Sequence, residues 1–250
     1  MKKMKLAVVF AALVSVFGFS SCLNDSDSGP QANVLLVTVS NPMGMPQFYP
    51  DCMPGVVLTP TAVDLTPYGI SSSARRAIIT YTIPEGQNIT NETKKINITL
   101  VAGACVEVKP LEISNVIDSF DTKGYTSKIK DFINVMPNYP SYPVYPKIYA
   151  DYGYLNFGFT YNADKIGQFG LVPNRISNDT LYLDLRAKIE GSSREGLNWL
   201  TYNLTSCNEY YEVNPIKDDS IRITVLAKSS LSSSDKNETI AVTTSYKKPY

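Results

Sequence analysis

The chain contains no histidine. That removes the commonest general base, the commonest metal ligand and both the Ser-His and Cys-His nucleophile pairs. Carboxylates, cysteines and a run of tyrosines remain as the groups able to do chemistry. A carboxylate pair of the glycosidase kind needs only two acids that meet in space. Asp184, however, alternates with Arg186 and Lys188, where a solvated cross-strand ion pair is the expected role. There is no Gly-rich phosphate loop, no G-x-S-x-G elbow and no acidic EF-hand loop. Cys52, Cys105 and Cys207 are far apart in the sequence, with no histidine to complete a ligand set, so no metal is expected. A Cys52–Cys105 disulfide would leave Cys207 over, and three buried thiols are the alternative. Tyr139, Tyr142 and Tyr145 are spaced by three among four prolines, one turn of polyproline II. They read either as an aromatic platform for a ligand or as tyrosines packed on a neighbouring sheet. These residues predict a protein that is not an enzyme and uses no cofactor.

The elements around these residues begin with residues 1–22. Lys2, Lys3 and Lys5 precede an apolar run of about 14 residues from Leu6 to Phe19, the length of a signal-peptide core and short for a membrane span. Ser20-Ser21-Cys22 resembles a bacterial lipobox, with Phe19 where an aliphatic residue is usual. The resemblance implies lipidation of Cys22 and an outer-membrane lipoprotein, on its cell-surface or periplasmic face. The alternative is an ordinary secretory signal in which Cys22 is incidental. Residues 23–32 (LNDSDSGPQA) read as a flexible tether. Its Asp25 and Asp27 resemble the acidic surface-export signal of lipoproteins in the Bacteroides group.

Lys plus Arg and Asp plus Glu number 23 each. Three of the lysines belong to the signal, leaving 20 against 23, or about −3. Nothing in that balance fits nucleic acid. No later segment has 18 consecutive apolar residues, so a membrane is reached through lipid at Cys22.

Residues 33–117 read as five short strands: Val34–Val39, Gly55–Thr59, Arg76–Ile83, Lys95–Leu100 and Ala104–Val108. That number in so short a span suits a small OB-like barrel. Residues 118–146 read as a Pro/Tyr-rich connector, opening with two helical turns over Thr126–Ile133. From 147 to 250 apolar and polar residues alternate, most clearly over Leu155–Tyr161, Leu181–Ile189 and Ile221–Lys228. Further strands are expected at Ile166–Val172, Trp199–Leu204 and Thr239–Tyr246, with a polar turn over Asn174–Asp179. The fold class expected is all-β, an OB-like barrel followed by an Ig-like antiparallel β-sandwich.

As an ordered series, several stretches resemble the NigD-like lipoproteins of the Bacteroides group. They are the lipobox with its acidic tail, Asp151–Tyr161, Phe169–Val172, and Asp179–Glu190 followed by Gly191 and the Trp199–Leu204 strand. The chain departs from that pattern at Ala187-Lys188, where members often have His-Asn, and in its longer Pro/Tyr insert. The resemblance implies an OB-like N-terminal domain and a C-terminal sandwich, without catalytic residues to carry over. Asp179-Thr180-Leu181 and Asp219-Ser220-Ile221 each resemble the O-glycosylation acceptor of that group's envelope proteins, at Thr180 and Ser220; turn chemistry before a strand is the alternative. Three functions follow as expectations. The first is a non-enzymatic envelope module that binds a glycan or protein ligand. The second is a bacteriocin-immunity or envelope-protection lipoprotein, and the third a structural subunit of a surface assembly, with unpaired sheet edges and a free Cys207 as its clues.

Overall fold

The computed structural model describes residues 32–90, 92–114, 123–135, 145–215, 219–230 and 239–248. The signal, Cys22, nearly all of the tether, Tyr139 and Tyr142 lie outside them. The chain divides into two compact units, with the boundary after Val108.

The first unit is built on β1 (Asn33–Ser40), β2 (Gln47–Pro50), β3 (Val57–Pro60), β4 (Arg76–Thr82) and β5 (Lys95–Leu100). β1 pairs with both β2 and β4, β3 lies parallel to β5, and β4 meets β5 through Tyr81 and Thr82. The order β1-β2-β3-β5-β4 therefore closes back on β1, an OB-like barrel without a free edge in the ring. Val37, Phe48, Leu58, Ile79 and Ile98 fill it. Two corrections to the sequence reading follow. The fifth barrel strand is β2, preceded by Pro46 and ending in Pro50, and prolines argue against a strand in a pattern reading. The Ala104–Val108 stretch supplies instead β6 (Val106–Val108), which lies outside the ring against Arg76–Ile78 of β4.

The second unit is a two-sheet sandwich. One sheet holds β7 (Leu111–Glu112), β8 (Asp131–Ile133), β9 (Ile148–Asp151), β10 (Tyr154–Ala163) and β13 (Arg194–Asn203). The other runs in the order β11 (Gln168–Ser177), β12 (Thr180–Lys188), β14 (Ser220–Lys228), β15 (Thr239–Lys247). Leu155, Phe157, Phe159 and Tyr161 of β10 meet Leu181, Leu183 and Leu185 of β12 and Ile221, Ile223 and Val225 of β14 in one core. The alternation read from the sequence is that of these inward faces.

Three details depart from the expected sandwich. β12 and β14 run parallel, from Thr180↔Arg222 to Leu185↔Ala227, as do β7 and β13, so the sheets are not wholly antiparallel. The boundary expected at 117 falls at 108, since β7 and Ile113 pack with the sandwich. Residues 126–133 form bridges and the strand β8 rather than helix. Ile129 and Phe132 are spaced for a helical face, but both enter the sandwich core, and the backbone donors of this stretch pair outward to neighbouring strands.

One turn has strict requirements. Asp164 accepts from the Ser193 amide at 2.8 Å and from its hydroxyl, tying the β10–β11 loop to the β12–β13 loop. These donors hold the Asp164 carboxyl below the usual carboxylate range. Gly191 sits against that carboxylate at φ +77°, where a Cβ would overlap it.

Candidate functional site

Past the Leu185↔Ala227 pair, β12 and β14 separate, and the segment 127–129 fills the gap. Ser127 donates its amide to the Ala187 carbonyl (2.9 Å), and its hydroxyl accepts from the Ile189 amide (3.0 Å). Ile129 pairs on the other side, with Lys228 and Ser230. Tyr125, held by a 3.2 Å bond from its hydroxyl to Gln168 Oε1, stands beside β11. The result is a cleft of about 420 Å³ on the outward face of the second sheet, with Leu185 and Ala227 in its lining. That volume lies in the range of small-ligand sites.

Alternation along β12 and β14 turns Asp184, Arg186, Leu226 and Lys228 to this face, opposite the core. A β-bulge between Pro173 and Arg175 re-aims Asn174 and Arg175 of β11 toward the same opening. Arg175 lies 4.2 Å over the Tyr182 ring. Asp184 is engaged on both oxygens, by Asn174 Nδ2 at 2.9 Å and by Arg186 at 3.2 Å. Arg175, Arg186 and Lys228 thus face one carboxylate that is already neutralised, and the lining is positive. The serine and threonine hydroxyls, the amide and the cations of this lining can hold a charged, hydroxylated ligand. The described lining offers no base for proton abstraction beyond the engaged Asp184.

The residues singled out in the sequence do not converge here. Cys52 and Cys105 are not joined by a disulfide. Cys105 is buried with the barrel core, where its sulfur accepts from the Thr80 amide at 3.4 Å, and burial pushes its thiol up. Cys52 is half-buried in the tight turn after β2, at φ +59°. Cys207 is fully buried, which overturns a disulfide-linked assembly through that residue. Tyr145 is no ligand platform. It is buried and stacked on Tyr149 at 5.2 Å, so packing against the fold is the role met at this position. Thr180 is buried too, its hydroxyl directed to Asp179 Oδ1 at 3.2 Å, so the folded chain does not present it as an acceptor. Ser220 is half-buried at the start of β14. Of the cleft residues, Asp184, Arg186 and Lys228 were legible as outward-facing. The parallel β12–β14 pairing that gathers them was not.

Burial pushes the Cys207 thiol up to about 12, and the Glu209 carboxylate 3.4 Å away adds to the shift. In the unfolded chain the same thiol ionises near pH ~8.5. The folded form thus holds its proton longer, so its stabilisation is complete below that pH and declines as pH rises toward 12. Cys207 is expected to resist iodoacetamide at pH ~8 in the folded chain, where a free thiol would be partly ionised, and to react once the chain is unfolded in urea. Cys207→Ala is expected to flatten the alkaline loss of stability, read from urea midpoints across the same window. Labelling of Cys207 in the folded chain at the rate of a free thiol would contradict this.

No protein-family model and no curated protein matches the chain. Solved structures do. A provisionally toxin-related protein from Parabacteroides distasonis aligns with TM-score 0.56 and 17% identity, over 86% of this chain and 93% of its own. A provisionally named lipoprotein from Bacteroides fragilis aligns with TM-score 0.55 and 18% identity, over 86% and 97%. A NigD-like immunity protein from Bacteroides caccae aligns with TM-score 0.47 and 18% identity, over 87% and 94%. The chain has the two-unit all-β fold that its NigD-like resemblance implies, and it shares that fold with solved proteins of Bacteroides and Parabacteroides.

Proposed function

We propose that the chain is a lipid-anchored cell-envelope protein that captures a ligand in the cleft of its sandwich and does no chemistry on it. The observation that carries this reading is the cleft itself. It is a concave, positively lined opening of about 420 Å³, built where the parallel pair β12–β14 parts. Its cations have no histidine, and no metal-ligand cluster among the described residues, to work with. Lipid at Cys22 supplies the anchor, and residues 23–32 the reach between membrane and fold.

Protease treatment of intact cells tests the placement, with outer-membrane-permeabilised cells and a Cys22→Ala variant alongside. Digestion of the chain on intact cells is the expected result, with Cys22→Ala absent from the surface. A chain protected until the outer membrane is opened would contradict capture from outside.

A further inference from the structure

We infer that the ligand of the cleft is an acidic saccharide chain, whose sugar carboxylates meet Arg175, Arg186 and Lys228; this rests on the cleft's being the capture site. Three cations surround one carboxylate whose two oxygens are held by Asn174 and Arg186, so an incoming anion meets little repulsion. The charge then continues beyond the cleft. Lys188 stands exposed on the same outward face at the cleft's end of β12, and Arg222 and Lys247 stand exposed on that face about 20 Å or more along the strands from Lys228, where Arg222 has a carboxylate neighbour, Asp179 at 3.5 Å. Two groups of cations at that separation on one sheet face suit an extended polyanion better than a single small anion.

The chemistry of the lining selects among polyanions. Guanidinium forks match carboxylates in two-point geometry. Ser127, Asn174 and Thr239 offer hydroxyl and amide partners of the kind that ring hydroxyls need. Tyr125 and the Arg175–Tyr182 stack offer flat surfaces for a sugar face. The shape argues against a bilayer or a protein face. The opening is recessed, and none of the exposed large apolar side chains among the described residues stands on this sheet face. Membrane insertion and protein hot spots both rely on such side chains.

The test is calorimetric titration of the full lipidated chain in detergent with three probes. These are an oligogalacturonate, its carboxyl-reduced counterpart and phosphatidylglycerol in mixed micelles. Arg175→Ala/Lys228→Gln removes two exposed charges without orphaning Asp184, and Lys95→Gln in the barrel controls for charge alone. Unchanged thermal unfolding shows that each variant is folded. We expect the oligogalacturonate to bind, with affinity falling as salt is raised. We expect the double variant and the carboxyl-reduced probe each to weaken binding by on the order of tenfold, the size of a lost charge-assisted contact. Equal binding of both saccharides, lost in the double variant, would overturn the acidic assignment and leave the cleft as the capture site. Saccharide binding untouched by the double variant would overturn the cleft as well. Phosphatidylglycerol binding that alone depends on Arg175 and Lys228 would replace the saccharide with a lipid headgroup, and failure of every probe to bind would overturn the inference.

Discussion

Asp51→Ala is expected to cost the barrel about 3–5 kcal/mol, the range for removing one partner of a buried ion pair. Arg76 and Asp51 are both fully buried, and the guanidinium grips the carboxylate with two bonds of 2.6 Å. Arg76 also donates to Thr38 Oγ1 at 2.9 Å, so it ties β4 to β1 and to the turn after β2. Asp51 is fixed in turn by its amide, which donates to the Leu36 carbonyl at 3.1 Å. Without the carboxylate, an arginine that can neither lose its proton nor reach water stays in the interior. The chain has a single tryptophan, Trp199 in the sandwich, so its fluorescence does not report this loss directly. Amide hydrogen exchange in β1 and β4 does. The double variant Asp51→Leu/Arg76→Met, which removes both charges, is expected to recover most of the loss. A loss below about 1 kcal/mol for Asp51→Ala would show that the pair behaves like a surface salt bridge.

Phe157→Ala is expected to cost the sandwich about 3–5 kcal/mol, the usual range for emptying a buried aromatic site. Phe157 is fully buried at the centre of β10 and faces the other sheet. Its ring lies parallel to Tyr202 at 5.8 Å and meets Phe132 edge-on at 6.2 Å. The substitution therefore removes contacts to β13 and β8 at once and leaves a cavity between strands that hydrogen bonding holds apart. Trp199 is on β13, so urea unfolding followed by its fluorescence reads the loss. Ile166→Ala, at an exposed loop position, is expected to stay within about 0.5 kcal/mol. Similar midpoints for the two variants would contradict the core described above.

Much of the fold is written in local patterns. Strands β1, β3, β4 and β5 are β-branched runs stopped by turns, and β10, β12 and β14 alternate because one face is buried and the other is not. The elements that escaped are those decided by partners. β2 is four residues that follow one proline and end in another, and it exists because β1 and β3 flank it. β8 takes its form from the edge of β10, which overrides the helical spacing of Ile129, Phe132 and Ile133. β11 runs on to Ser177 because a bulge absorbs the Pro173 region, so the turn expected over Asn174–Asp179 shrinks to Asn178 and Asp179. The candidate site escaped for the same reason. Asp184, Arg186 and Lys228 were readable as outward residues of two strands, and Arg175 lay in an expected turn. The parallel pairing of β12 with β14, a long-range contact, brings Lys228 to Asp184 and Arg186, and the bulged β11–β12 pairing brings Arg175.

Hydrogen exchange of the full chain with and without the oligogalacturonate tests capture in the cleft most directly. Added protection is expected at Ser127–Ile129, at Asn174–Arg175 and at Leu226–Lys228, with the barrel strands β1–β5 unchanged. Protection centred on the barrel, or binding that leaves those three stretches exchanging as before, would contradict capture in the cleft.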